Sequence, residues 1–99
     1  MIRPVAIVKS MLDLLQRGNL RGFLALAEKA EPADLGDVLS NLDEDERIEV
    51  VKALPPRLSS AALVEMGDDT QVEETLEQLA EEAPETAGEI VDELPDDMA

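Results

Sequence analysis

A repeated proline sets the register of most of this chain. Small or apolar residues stand three, six, seven and ten positions after each of Pro32, Pro56 and Pro84. These residues are Leu35, Val38, Leu39 and Leu42; Ser59, Ala62, Leu63 and Met66; and Ala87, Ile90, Val91 and Leu94. The spacing places each set on one stripe of an α-helix, and proline suits the first helical turn because its missing N–H needs no partner there.

The distances between these prolines leave room for a second helix in each repeat. Pro56 follows Pro32 by 24 residues, and Pro84 follows Pro56 by 28. A repeat of this length fits two short helices and two turns, which is typical of a helical-pair solenoid. We therefore expect an all-α solenoid of short helix-pair repeats starting near residues 32, 56 and 84.

Capping signals predict where the individual helices begin and end. Gly18 can take the left-handed conformation that ends a helix, and Asn19 can cap the next one. Asp43, followed by Glu46, has the spacing of a capping box, and Asp68 repeats an acidic cap after a turn. The first five predicted helices cover residues 5–16, 20–30, 33–41, 44–54 and 57–66. A sixth helix has Val72, Leu76 and Leu79 on its inner stripe, and a seventh begins at Pro84.

Two further features concern packing and the end of the chain. Gly36 and Gly88 fall inside predicted helices, where the missing side chain is expected to permit close packing.

Leu94-Pro95-Asp96-Asp97 resembles another acidic cap with almost no chain behind it. We therefore expect residues 1–99 to form one domain that is truncated before further domains.

Composition excludes several classes of function. The chain has one aromatic residue, Phe23, and neither cysteine nor histidine, so it lacks disulfides, thiolate metal sites and the usual general base. It has no phosphate-binding glycine loop, and carbohydrate enzymes usually need aromatic platforms, so we expect no enzymatic activity. No apolar run is long enough to span a bilayer and no signal peptide is recognisable, which predicts a soluble, cytoplasmic segment.

The net charge of −16 is concentrated in the second part of the chain. Residues 1–30 hold five Lys/Arg and two Asp/Glu, and no basic residue follows Arg57, whereas 14 acidic residues do. Such a surface repels nucleic acid and attracts cations or basic partners. Carboxylates suit Mg²⁺ and Ca²⁺, although no EF-hand spacing is present. Two alternatives remain open, namely ordinary helix caps for each cluster and adaptation to high salt for the whole surface.

Four short motifs of the chain resemble those of one protein family. The chain resembles the intracellular N domain of MgtE magnesium transporters in its Glu-Pro-Ala-Asp-Leu start, its Leu-Pro-Pro turn, an Ala-Ala-Glu-Ile-Leu-like helix and a helix-one exit. The residues concerned are Glu31-Pro32-Ala-Asp-Leu35, Leu54-Pro55-Pro56, Thr86-Ala87-Gly88-Glu89-Ile90-Val91 and Gln16-Arg17-Gly18-Asn19. Ser60-Ala61-Ala62-Leu63 departs from the family pattern because a carboxylate ligand expected there is missing.

The resemblance implies a right-handed superhelix that regulates transport. In that family the domain precedes CBS domains and a transmembrane pore in a homodimeric protein, and Mg²⁺ bound between domains holds the assembly closed. By resemblance Asp96 and Asp97 match the acidic helix start near that interface, and Glu89 and Glu93 are the other candidate metal ligands. The alternative is a protein-interaction module of the flagellar motor switch (FliG) type, which shares short helical repeats.

Overall fold

A computed structural model describes residues 5–94, and this part of the chain contains seven helices and no strand. The predicted all-α class is confirmed. The helices are α1 (Val5–Gln16), α2 (Leu20–Ala27), α3 (Pro32–Ser40), α4 (Glu44–Ala53), α5 (Pro56–Glu65), α6 (Asp69–Glu82) and α7 (Pro84–Glu93).

The helix starts follow the predicted capping chemistry. Proline occupies the first turn of α3, α5 and α7. Asn19 Oδ1 accepts from the Gly22 N–H at 2.9 Å, and Asp43 and Glu46 form the full capping box of α4. These bonds satisfy amide groups that have no partner within the helix. Gly18 has a φ of +75°, as its predicted role requires.

The predicted end of the second helix is wrong. It was expected to reach residue 30, but α2 ends at Ala27 and the chain continues in tight turns, with Lys29 N–H bonded to the Leu26 carbonyl. The reason lies at Glu31, which precedes proline and takes an extended conformation with a ψ of 154°. A residue before proline is driven out of the helical region, so the helix must unwind ahead of it.

The helices pack in the order expected of stacked pairs. α3 packs on α5 and α5 packs on α7, while α4 packs on α6 beside them. At the other end α1 packs on both α2 and α3, where Met11 and Phe23 are fully buried. This order is compatible with a solenoid, and the right-handed superhelix stays a prediction.

The proline stripe is buried in the first two units but not in the third. All four stripe residues of α3 and its exit, and all four of α5 and its exit, lie in the core. In α7, Ala87 and Ile90 are buried but the side chain of Val91 is 51% exposed. Val91 therefore differs from Leu39 and Leu63, which occupy the same position of the repeat and are buried. The reason is that α5 and α7 each cover the preceding helix of the stack, whereas no described helix follows α7.

Arg47 joins three helices from a buried position. Its side chain is only 4% exposed, yet no described carboxylate pairs with it. Its guanidinium donates to the carbonyl oxygens of Leu39 at 2.9 Å and Leu42 at 2.7 Å, and to Thr75 Oγ1 at 3.4 Å. The carbonyl end of α3 carries partial negative charge, so it is a suitable partner for a buried cation. Arg47 thus ties the end of α3 to α4 and α6.

Gly36 and Gly88 have different surroundings although both were predicted to permit close packing. A Cβ added at Gly36 would lie 3.0 Å from the Cβ of Glu65 and 3.1 Å from the carbonyl oxygen of Ala62, so α3 and α5 approach closely there. At Gly88, apart from its chain neighbours and the backbone of its own helix, no described atom lies within 4 Å of such a Cβ. The prediction is confirmed for Gly36 and wrong for Gly88 within residues 5–94.

Replacing Arg47 by methionine should destabilise the fold strongly. The change removes hydrogen bonds from a charged donor and leaves buried carbonyl groups poorly satisfied, at a cost of about 2–3 kcal/mol. Urea unfolding followed by circular dichroism measures it, and the exposed Arg21→Met is the control, with an expected change below about 0.5 kcal/mol. Equal losses in the two variants would contradict the role assigned to Arg47.

The two helical glycines should respond in opposite directions to alanine. Gly36→Ala forces α3 and α5 apart and should lower the free energy of unfolding, because overpacking typically costs about 1–3 kcal/mol and outweighs the gain in helix propensity. Gly88→Ala meets no described atom and should raise it by about 0.5–1 kcal/mol. Urea unfolding of both variants tests the difference, and shifts of the same sign would rule out a close contact at Gly36.

Candidate functional site

Two adjoining surface grooves lie between α5 and α7, with volumes of about 310 and 330 Å³. Arg57 and Glu93 line both of them. The first groove is completed by Pro32, Ser60, Ala61, Val64 and Glu65, and the second by Pro55, Pro56, Glu89 and Asp92. The region combines apolar side chains, one cation and several carboxylates, and it is the candidate functional site.

The position of Arg57 follows from the two prolines before it. Pro55 caps α5 in an extended conformation, and Pro56 is the first helical residue, so Arg57 lies in the first turn. Its Nη2 lies 3.3 Å from Glu28 Oε1, at the end of α2. A cation is unfavourable at the positive end of a helix dipole, so surrounding carboxylates help to hold it there.

The carboxylates of the second groove share one side of α7. Asp92 and Glu93 come three and four positions after Glu89, and both spacings bring a side chain close to that of Glu89 on the helix surface. None of them has an ion pair within 4.0 Å among the residues that the structure describes. Two carboxylates about 5 Å apart in water repel by roughly 0.8 kcal/mol. The groove therefore has a negative potential that a cation would reduce.

A separate cation balances charge between α4 and α6. Lys52 Nζ lies 3.2 Å from Glu49 Oε2 and 3.7 Å from Glu82 Oε1. The hydrogen bond and the charge of Glu49, with a smaller contribution from Glu82, raise the pKa of Lys52. This ammonium therefore stays charged at neutral pH and belongs to the α4–α6 contact, away from the α5–α7 grooves.

Two of the four predicted metal ligands lie among the residues that the structure describes. Glu89 and Glu93 are exposed on α7 and line the second groove, together with Asp92. Asp96 and Asp97 lie outside the described residues. Within residues 5–94 no three Asp, Glu, His or Cys side chains are arranged to hold a metal ion. Mg²⁺ commonly uses one or two protein carboxylates and keeps several waters, so Glu89 and Glu93 fit an open or shared site.

Sequence reasoning missed Arg57 and Asp92 as groove residues. Arg57 counted only as the last basic residue of the chain, and Asp92 was not among the candidate metal ligands. The repeat contains the signal that would have found them, because Arg57 directly follows the proline that starts α5, the helix against which α7 packs. Its proximity to the acidic side of α7 follows from that stacking.

Comparison with known protein families identifies the family of this chain. A family model described as the MgtE intracellular N domain matches residues 30–99. The chain belongs to that family. Neither a curated protein nor a solved structure matches the chain significantly.

The MgtE match includes both grooves but not the first helices. It begins just before α3 and covers every residue that lines the two grooves, whereas the motif at residues 16–19 lies outside it. The family description places this domain inside the cell. Among the helices of residues 5–94, none has both the length and the apolar character required to cross a membrane.

Replacing Arg57 by glutamine should weaken the fold in a salt-dependent way. The change removes the pair with Glu28 and the only described cation of the two grooves. Because the pair is exposed, the loss should be at most about 1 kcal/mol at low salt, and it should shrink near 0.5 M NaCl. Urea unfolding at the two salt concentrations measures it, with Arg21→Gln as the control. A loss that is unchanged by salt would point to packing rather than charge.

Proposed function

We propose that this MgtE N domain is the cytosolic regulatory part of a magnesium transporter. It senses intracellular Mg²⁺ through its acidic surface and gates transport by docking to neighbouring domains. The observation that carries the proposal is the family match over residues 30–99. The acidic α5–α7 groove supports it independently, because its carboxylates suit a hard divalent cation.

The mechanism is a thermodynamic linkage between cation binding and docking. The carboxylates of Glu89 and Glu93, together with the charges of Asp96 and Asp97, repel any acidic neighbouring surface when no divalent cation is present. Mg²⁺ held at these carboxylates supplies the positive charge that allows a second acidic surface to approach. A cation that binds the docked arrangement more tightly shifts the equilibrium toward it, and the reverse follows when the Mg²⁺ concentration falls.

Arg57 has a supporting role in this mechanism. Its guanidinium lines the second groove with Glu89 and Glu93 and partly offsets their charge. It also limits how many cations the groove can accept, because a fixed positive charge repels a second one. The domain therefore fits a site that uses few protein ligands and is completed by a neighbouring surface.

The partners in the proposal are parts of the same full-length protein. They are CBS domains and a transmembrane pore, in a homodimer at the cytoplasmic side of the membrane. The net charge of −16 is unfavourable for nucleic-acid binding. The role is regulatory rather than enzymatic.

Magnesium should stabilise the domain more than its ionic strength explains. We expect about 5 mM MgCl₂ to raise the melting temperature above the value in NaCl of equal ionic strength, because binding to the folded state adds stability by mass action. Differential scanning fluorimetry of the full 99-residue chain measures this. Equal melting temperatures in the two salts would leave only general screening and would contradict cation sensing by this domain.

Variants locate the part of the response that depends on the proposed ligands. A combination of Glu89→Gln, Glu93→Gln, Asp96→Asn and Asp97→Asn should remove most of the magnesium-specific shift. The control removes the same number of charges with Glu73→Gln, Glu74→Gln, Glu77→Gln and Glu81→Gln, since these residues are exposed on α6 away from the grooves. If both sets reduced the shift in proportion to the charge removed, magnesium would act on the acidic surface as a whole.

A further inference from the structure

Arg57 lies between the carboxylates of two different helices. Its Nη2 lies 3.3 Å from Oε1 of Glu28, the residue that directly follows α2. The same side chain lines the second groove with three carboxylates of α7, those of Glu89, Asp92 and Glu93. A guanidinium has several N–H donors, and the hydrogen bond to Glu28 uses Nη2. Donors therefore remain for a carboxylate on the other side.

The pair between Arg57 and Glu28 is weak enough to exchange. The side chain of Arg57 is 62% exposed and that of Glu28 is 50% exposed, so water has access to both. Exposed ion pairs add little to stability, because solvent screens them and both side chains lose freedom when they pair. The backbone of Arg57, by contrast, is held in the first turn of α5, directly after Pro55 and Pro56. The guanidinium can therefore change its partner while its backbone stays in place.

The carboxylates of α7 are the competing partner. Within residues 5–94, none of Glu89, Asp92 and Glu93 has an ion pair closer than 4.0 Å. Either a guanidinium or a divalent cation would reduce the repulsion among them, and a guanidinium beside their oxygens repels a divalent cation. The two cations therefore compete for the same carboxylates, and Glu28 pairs with Arg57 when the divalent cation is bound.

We propose that Arg57 exchanges between Glu28 and the α7 carboxylates and thereby sets the Mg²⁺ concentration at which the domain responds. At low Mg²⁺ the guanidinium pairs with the carboxylates of α7 and neutralises part of their charge. When Mg²⁺ binds there, Arg57 pairs with Glu28. This inference rests on the proposed function, since it concerns the regulation of the same carboxylates.

The exchange connects the first helices to the part of the chain that matches the family. Glu28 precedes the matched residues 30–99, whereas Arg57 and the α7 carboxylates lie within them. Binding of Mg²⁺ at α7 is thus coupled to a contact at the end of α2 through one side chain. Because such coupling is reciprocal, the pair with Glu28 must in turn favour Mg²⁺ binding.

Magnesium titrations of three variants and a control test the exchange. MgCl₂ is added to the ¹⁵N-labelled 99-residue chain at constant ionic strength, and the amide chemical shifts of α7 and Glu28 are recorded. The variants are Arg57→Gln, Glu28→Gln and the two changes together. The control is Arg17→Gln, because Arg17 is also an exposed arginine in an ion pair, 3.0 Å from Asp13, at the α1 end of the stack.

The variants should change the Mg²⁺ affinity of α7 in opposite directions. Arg57→Gln should tighten binding by about three- to tenfold, since it removes a positive charge beside the ion. Glu28→Gln should weaken binding by about two- to fourfold, because Arg57 then stays with the α7 carboxylates. The control Arg17→Gln should change the affinity by less than about 1.5-fold, because solvent screens distant exposed charges.

The double variant separates exchange from the action of independent charges. Once Arg57 is replaced, Glu28→Gln should change the affinity by less than about 1.5-fold, since no guanidinium remains to be released. The Glu28 amide should also shift with the same midpoint as α7 in the unmodified chain and lose that shift in Arg57→Gln. Equal effects of Glu28→Gln with and without Arg57, a Glu28 shift that persists without Arg57, or no tightening in Arg57→Gln would overturn the proposal.

These outcomes can be told apart from a failure of the proposed magnesium sensing. Saturable shifts at α7 together with any of the contrary results would contradict the exchange alone. If the α7 amides of the unmodified chain showed no saturable shift with MgCl₂, both the magnesium sensing and the exchange that rests on it would be wrong.

Discussion

The close approach of successive proline-started helices is the constraint on which the rest of this structure depends. At Gly36 the backbone of α3 comes so near to α5 that a methyl group would lie only 3.0–3.1 Å from atoms of Ala62 and Glu65. That distance places Leu39 and Leu63 in a continuous core although the chain has a single aromatic residue. Small aliphatic side chains can fill such a core only when the helices are close, because packing density must match that of other protein interiors.

The buried Arg47 shows how a strongly acidic chain can bury a cation without also burying a carboxylate. A buried cation normally needs a carboxylate, and burying a carboxylate adds a desolvation cost. Here the carbonyl groups at the end of α3, with Thr75 of α6, take that place. A buried cation is thus satisfied without an acidic partner, and the carboxylates of α7 remain at the surface. The same bonds connect the α4–α6 layer to the stack of α3, α5 and α7.

The last helix of the stack presents two different surfaces. One side of α7 has Glu89, Asp92 and Glu93 beside Arg57, and its outer face presents Gly88 and Val91. The charged side of α7 faces the first turn of α5, so the position of α7 on α5 sets the distance between Arg57 and these carboxylates.

The sequence by itself determined the helical class, the three proline starts and the caps at Asn19, Asp43 and Asp68, because these depend on interactions within a few residues. It also placed Glu89 and Glu93 on an acidic helix. Only the tertiary structure decided that Val91 is exposed, that Gly36 rather than Gly88 is a contact, and that Arg57 joins the acidic groove. The physical reason is that burial depends on which helix packs against which face. The residue spacing is the same in all three repeats, so it cannot predict that α7, unlike α3 and α5, has no further described helix packed on it.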